Sequence, residues 1–244
     1  MRTKPLQQKI IGVLGGCSNV ATAEYYRLLN EFVNTRLGGW EIAETLIVGM
    51  NFGNIEAWIR TGDDAAMEAY LHSKVDQLEA ANVDVVLCVS NTLHPPLERV
   101  VAKRKTPFLH IVEVTGKVIR ARGLDRVALL GTRPVMQSEQ VKLRYVEQFG
   151  ISVVTPNDAE QIAVDRIIFD ELVKGKVLLE SRQVYVDIAQ RLAAEAGIQG
   201  LIMGCTEIFT LLRQEDLPAI PLFDTTRLHC EAAVEFALDG VLSA

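Results

Sequence analysis

Three blocks of this sequence recur, in the same order and at nearly one spacing. Ile11-Gly12-Val13-Leu14-Gly15-Gly16 is matched by Val127-Ala128-Leu129-Leu130-Gly131-Thr132, 116 positions on. Val85 to Thr92 is matched by Leu201 to Glu207, with Ser90 set against Cys205 at 115. Pro107-Phe108-Leu109-His110 is matched by Pro221-Leu222-Phe223-Asp224 at 114. Any two strand-plus-turn units look somewhat alike, but three matched offsets in order are hard to obtain by accident. The repeat predicts two similar α/β halves. Their expected limits are 1–115 with a returning tail at 225–244, and 116–224.

The patterning between the blocks agrees. Apolar runs suited to buried parallel strands fall at Ile10–Leu14, Thr45–Met50, Val83–Val89 and Phe108–Val112. Helical spacing is read over Thr22–Leu37, starting near Ser18 or Thr22 and stopping at Gly38-Gly39. It is read again over Asp64–Ala81, Thr115–Arg122 and Arg227–Leu238, with a turn over Asn91–Pro96. Such alternation implies parallel sheets covered by helices on both faces. In open α/β sheets, ligands sit beyond the carboxyl ends of the strands. The strand-end loops Gly15–Ser18, Ser90–His94, Gly131–Pro134 and Cys205–Glu207 are therefore expected to meet in one cleft. Ser90 and Cys205 then stand opposite each other, the geometry that inversion at a single atom requires.

Composition excludes several classes. The net charge is −6, with both signs scattered, which gives no basic nucleic-acid footprint. No apolar run is long enough for a membrane helix, and the polar, basic Met1–Lys9 segment does not read as a signal peptide. The cytoplasm is the expected compartment. The four cysteines stand alone at 17, 88, 205 and 230, without a CxxC pair, and are expected as thiols. No histidine pair has metal-ligand spacing, Gly15-Gly16-Cys17-Ser18 is not a dinucleotide fingerprint, and no GxSxG occurs.

Among the motifs, Met203-Gly204-Cys205-Thr206-Glu207-Ile208 is the sharpest. Cys205 follows a buried strand, and Thr206 is expected to open a helix whose positive end favours a thiolate. Ser90, Asn91 and Thr92 offer hydroxyl and amide groups at the matching strand end, suited to a carboxylate. Cys17 divides evenly between lining the pocket and packing. Cys88 and Cys230 read as core. His94, His110 and His229 read as hydrogen-bonded structural residues.

These residues carry a resemblance. LGG-Cys-Ser at 14–18, SNTLH at 90–94, PFLHI at 107–111, LLGTR at 129–133 and GCTEI at 204–208 together resemble the aspartate/glutamate racemase family, as do Tyr25–Asn30 and Ile167–Leu172. The similarity spans nearly the whole chain. It implies two pseudo-symmetric flavodoxin-like domains with the active site in the cleft between them, and a homodimer. It also implies an amino-acid racemase working without pyridoxal phosphate, metal or other cofactor on a small carboxylate or amino-acid substrate. In that mechanism one thiolate removes the Cα proton and an opposite thiol returns one to the other face. The second family cysteine maps onto Cys205 and the first onto Ser90. Asn91, Thr92 and Thr206 match substrate-carboxylate positions; Thr132 and Glu207 complete the expected substrate-binding set with Cys17. Three departures stand out: Ser90 replaces cysteine, Cys17 replaces a common methionine, and Ala163 stands where a lysine often pairs with a substrate carboxylate. Two other readings remain open at this stage. One is a single-cysteine decarboxylase or isomerase of the same superfamily, which needs only one proton donor. The other is a non-catalytic small-acid binder.

Overall fold

The computed structural model describes residues 7–240; the expected domain ends at 1–6 and 241–244 lie outside the described residues. The first half runs β1 (Ile11–Gly15), α1 (Asn19–Leu37), β2 (Thr45–Gly49), α2 (Phe52–Thr61), α3 (Asp64–Ala80), β3 (Val85–Cys88) and α4 (His94–Val101). A connecting helix, α5 (Ile111–Ala121), leads to β4 (Arg126–Gly131), α6 (Arg133–Gln137), α7 (Glu139–Phe149) and β5 (Ser152–Val154). There follow α8 (Asp158–Asp170), α9 (Leu179–Ala196), β6 (Leu201–Gly204), α10 (Ile208–Leu211), β7 (Leu222–Asp224) and α11 (Thr225–Asp239).

The strands form two separate parallel sheets, ordered β2-β1-β3 and β5-β4-β6-β7. The repeat explains the likeness: β1, β2 and β3 occupy the places of β4, β5 and β6. The fourth place differs. In the second half it is filled by β7, whereas in the first the expected strand over Phe108–Val112 shrinks to one bridge between Val86 and Phe108. The chain turns helical at Ile111, four residues before the expected start at Thr115. His110 caps that helix, its Nδ1 accepting from the Val112 N–H at 3.2 Å. The run Ile111-Val112-Glu113-Val114 has strand-like composition. Burial of Ile111, Val112 and Ile119 in the core of the second sheet overrides that preference.

Pleating separates the cores. In β4 and β6, Ala128, Leu130, Leu201 and Met203 pack with α8 and α9 on one face. Val127, Leu129 and Ile202 pack with α5 and α7 on the other. The first sheet has its own core, shared with α1, α3 and α11, so the last helix lies against the first half. The prolines expected in a turn, Pro95 and Pro96, instead open α4, where a missing N–H costs nothing.

Among the described residues, no helix is long and apolar enough to cross a membrane.

Candidate active site

Each site residue expected from the sequence sits just past the carboxyl end of a strand. β1 delivers Cys17 and Ser18, β3 delivers Ser90, Asn91 and Thr92, β4 delivers Thr132, and β6 delivers Cys205, Thr206 and Glu207. A cavity of about 230 Å³ lies among these loops. Cys205, Ser90, Cys17, Asn91, Thr92, Thr132, Thr206 and Glu207 all line it. The loop before α1 reaches the cavity through a tight bend. Gly16 has φ 92°, and a Cβ there would overlap the Met50 backbone; Ser18 follows at φ 87°, rare for a side-chain-bearing residue.

Glu207 is the hub of the polar end. Its buried carboxylate accepts from the Ser18 hydroxyl, from the Cys205 thiol at 3.0 Å and from the Thr206 hydroxyl at 3.2 Å. The Thr206 hydroxyl also lies 3.0 Å from the Val89 carbonyl. Ser18 and Val89 belong to the first half and Glu207 to the second, so this network joins the two. A second tie links the Thr92 and Thr132 hydroxyls at 3.1 Å. A third runs from the Asn91 amide to the Thr225 hydroxyl at 3.1 Å, and on to the Met203 carbonyl at 2.8 Å.

The electrostatics of Cys205 differ from the expectation of a helix-stabilised thiolate. Thr206 and Glu207 form a turn, and the helix beyond them, α10, has four residues, Ile208–Leu211. Little macrodipole develops over one turn. Burial pushes the Cys205 thiol well above its ordinary value, and the neighbouring Glu207 charge raises it further. Cys205 therefore rests as a thiol donating to a carboxylate.

The other cysteines separate clearly. Cys17 and Ser90 both line the cavity, and the Ser90 side chain favours the Cys17 thiolate. Burial raises the Cys17 pKa and the Glu207 charge adds to that, while the nearby Ser90 side chain works the other way. Cys88 is fully buried in the first core, away from the cavity wall, with its thiol pushed up to about 12 by desolvation. Cys230 is likewise buried in that core.

Behind Ser90 lie the three histidines, none of them lining the cavity. His94 Nδ1 donates to the Ser90 carbonyl at 2.8 Å. Its ring stands 4.7 Å from that of His110 and 5.8 Å from that of His229. His229 is held by the Tyr25 hydroxyl and the Leu109 carbonyl, each at 2.9 Å. Burial lowers the pKa of all three, so they are neutral props that set the position of the Ser90 loop.

Sequence reasoning missed the far wall. Helix α2 contributes Phe52, Ile55, Glu56, Ile59 and Arg60, and α8 contributes Asp165, Ile168 and Phe169. The signal for α2 was available, because β2 ends at the same sheet edge as β1 and β3. Ala163 is not among the lining residues, and Arg166 is exposed beside Asp170 and Glu171, on a separate hollow. Among the described residues, no group of three His, Cys, Asp or Glu side chains is placed to hold a metal.

The model for the Asp/Glu/Hydantoin racemase family matches residues 13–233. Among solved structures, an Asp/Glu racemase candidate from Yersinia pestis is 37% identical with a TM-score of 0.86, over 94% of this chain and 99% of that one. An aspartate racemase homologue from Pyrococcus horikoshii OT3 is 29% identical with a TM-score of 0.80, over the same shares. The Picrophilus torridus aspartate racemase shares the fold at 20% identity, with a TM-score of 0.72 over 94% of each chain.

Proposed function

Because this chain belongs to the Asp/Glu/hydantoin racemase family, we propose that it is an amino-acid racemase that inverts Cα by proton transfer on two faces, without a cofactor. One observation carries the reading. A cavity between the strand ends of two sheets is lined from one half by Cys205 with Glu207, and from the other by Ser90 with Cys17. We take the halves as 7–110 with 225–240, and 111–224, since Ile111 and Val112 pack in the second core and α11 in the first.

The reaction begins with a proton shift. The Cys205 S–H proton passes to Glu207, and the thiolate removes the Cα proton of a substrate whose carboxylate rests on Asn91, Thr92, Thr132 and Thr206. The carbanionic charge spreads onto that carboxylate, where hydroxyl and amide donors stabilise it. The Ser90 hydroxyl then gives its proton to the opposite face of Cα and recovers one from the Cys17 thiol. Cys17 ends as the thiolate, Cys205 as the thiol and Glu207 as the carboxylic acid. In the reverse reaction Cys205 protonates Cα and recovers its proton from Glu207. From this state a proton returned from Glu207 to Cys17 through solvent resets the forward direction. Serine holds an anion far less readily than cysteine, so the relay through Cys17 is what makes Ser90 serviceable as a base. Enantiomers have equal free energies in water, so kcat/KM is the same in both directions, however unequal the two faces.

The Ser90→Cys change tests the assignment of faces. It alters side-chain volume little at a half-buried polar position. It is expected to leave the fold unchanged and to speed Cα deuterium exchange from both enantiomers by at least about tenfold. That is less than the full effect of a positioned acid–base group, roughly 10²–10⁴-fold, because Ser90 with Cys17 already supplies part of it. Exchange followed by proton NMR in heavy water reads the effect. If Ser90→Cys changes nothing while Cys88→Ser abolishes exchange in one direction only, then Cys88 is the opposing base and Ser90 merely a carboxylate contact.

A further inference from the structure

The cavity has two unlike ends. The polar end holds the thiols and the hydroxyl groups. The other end is built from Phe52, Ile55 and Ile59 on one side and Ile168, Phe169 and Val173 on the other. The rings of Phe52 and Phe169 stack at 6.3 Å with planes 4° apart, so an aromatic pair from the two halves closes that end. A substrate with its carboxylate at the hydroxyl groups and its Cα between Cys205 and Ser90 extends its side chain into this apolar space.

The charges there disfavour an acidic side chain. Three carboxylates line the cavity: Glu56, Asp165 and Glu207. Arg60 is the one cation among the described lining residues. Its side chain is 74% exposed and paired with Glu56. Asp165 accepts from the Arg133 backbone N–H at 2.7 Å and offers an anion no donor. With Ala163 outside the lining and Arg166 directed elsewhere, the one cation near the apolar end is Arg60, whose charge Glu56 already neutralises. A second substrate carboxylate would be desolvated against isoleucine and phenylalanine, and could gain Arg60 only by displacing Glu56 from it, which costs far more than burying a methyl group gains.

We infer that the substrate is an α-amino acid with an uncharged, apolar side chain of leucine, methionine or phenylalanine size, and not aspartate or glutamate. This rests on the racemase reading for the position of Cα. Each enantiomer of leucine, methionine, phenylalanine, aspartate and glutamate is incubated with the protein in heavy water, and Cα exchange is followed by NMR. In parallel, each amino acid is tested for shielding Cys205 from iodoacetamide at alkaline pH, read by peptide mapping.

At least one apolar amino acid is expected to exchange with kcat/KM about 100-fold or more above aspartate and glutamate. Ile59→Lys puts a cation on this wall at a position 37% exposed, where it can be accommodated. It is expected to reverse the preference toward the acidic pair. Exchange of aspartate or glutamate at least as fast as that of the apolar set overturns the inference and leaves the racemase reading standing. Shielding by apolar amino acids alone, with no exchange from any, supports the inference and refutes the racemase reading. The absence of both exchange and shielding by every apolar amino acid overturns the inference.

Discussion

Cys205→Ala is expected to slow Cα exchange of the substrate by at least about 10³-fold, in the range for removing a positioned acid–base group, while the protein stays folded. The size follows from the cavity. Cys205 is the thiol that both lines the cavity and donates to Glu207, at 3.0 Å. With alanine there, Glu207 keeps its bonds to Ser18 and Thr206, so the network joining the two halves survives. The cost in stability is therefore small beside the cost in rate. Cys88→Ala should do the opposite, because Cys88 is wholly buried beside Leu87 and Val89 and away from the cavity. Truncating it is expected to lower the unfolding free energy by about 1 kcal/mol with little change in rate. Exchange kinetics and urea unfolding of both variants check the pair. A Cys205→Ala protein that exchanges at the wild-type rate removes this residue from the chemistry.

The histidine cluster predicts a marked loss of stability in mild acid. His229 is neutral in the fold, its Nε2–H donating to the Leu109 carbonyl and its Nδ1 accepting from Tyr25. Burial holds its pKa down to about 4, against about 6.5 in an unfolded chain. A folded-state pKa below the unfolded value means that the unfolded chain binds protons first. The stabilisation is complete above about pH 6.5 and is lost as pH falls toward about 4. For His229 alone that amounts to about 3 kcal/mol. His94 and His110 shift in the same direction, also mainly through burial, and steepen the loss. Urea midpoints measured between pH 7 and pH 4.5 should fall continuously, and a flat profile would show that these rings titrate as free histidines. Because His94 also holds the Ser90 carbonyl at 2.8 Å, activity should fall along with stability.

Much of this site was legible before any coordinates. The repeat placed Ser90 opposite Cys205 in the pattern, and a parallel strand's carboxyl end is where a βα loop must turn. Two regular features, period and topology, were thus enough to collect the strand-end residues at the polar end of the cavity. What escaped came from tertiary context. Ile111-Val112-Glu113-Val114 looks like a strand, and only the second core makes it the start of α5. The thiolate expected at Cys205 needed a long helix behind it; α10 is one turn, and Glu207 faces the sulfur instead. The apolar wall was missed because Phe52 and Phe169 are 117 positions apart and belong to different halves. No local pattern reports that two such rings will stack.

The central claim is that one cavity moves protons on both faces of an α-carbon. The most direct test is to start wild-type reactions in heavy water from each pure enantiomer of the preferred amino acid, and to follow Cα deuterium and optical rotation together. Both enantiomers should converge on a racemic, fully deuterated mixture, with equal kcat/KM from the two sides. Deuterium entering Cα with complete retention of configuration, from one enantiomer only, would contradict a two-faced mechanism.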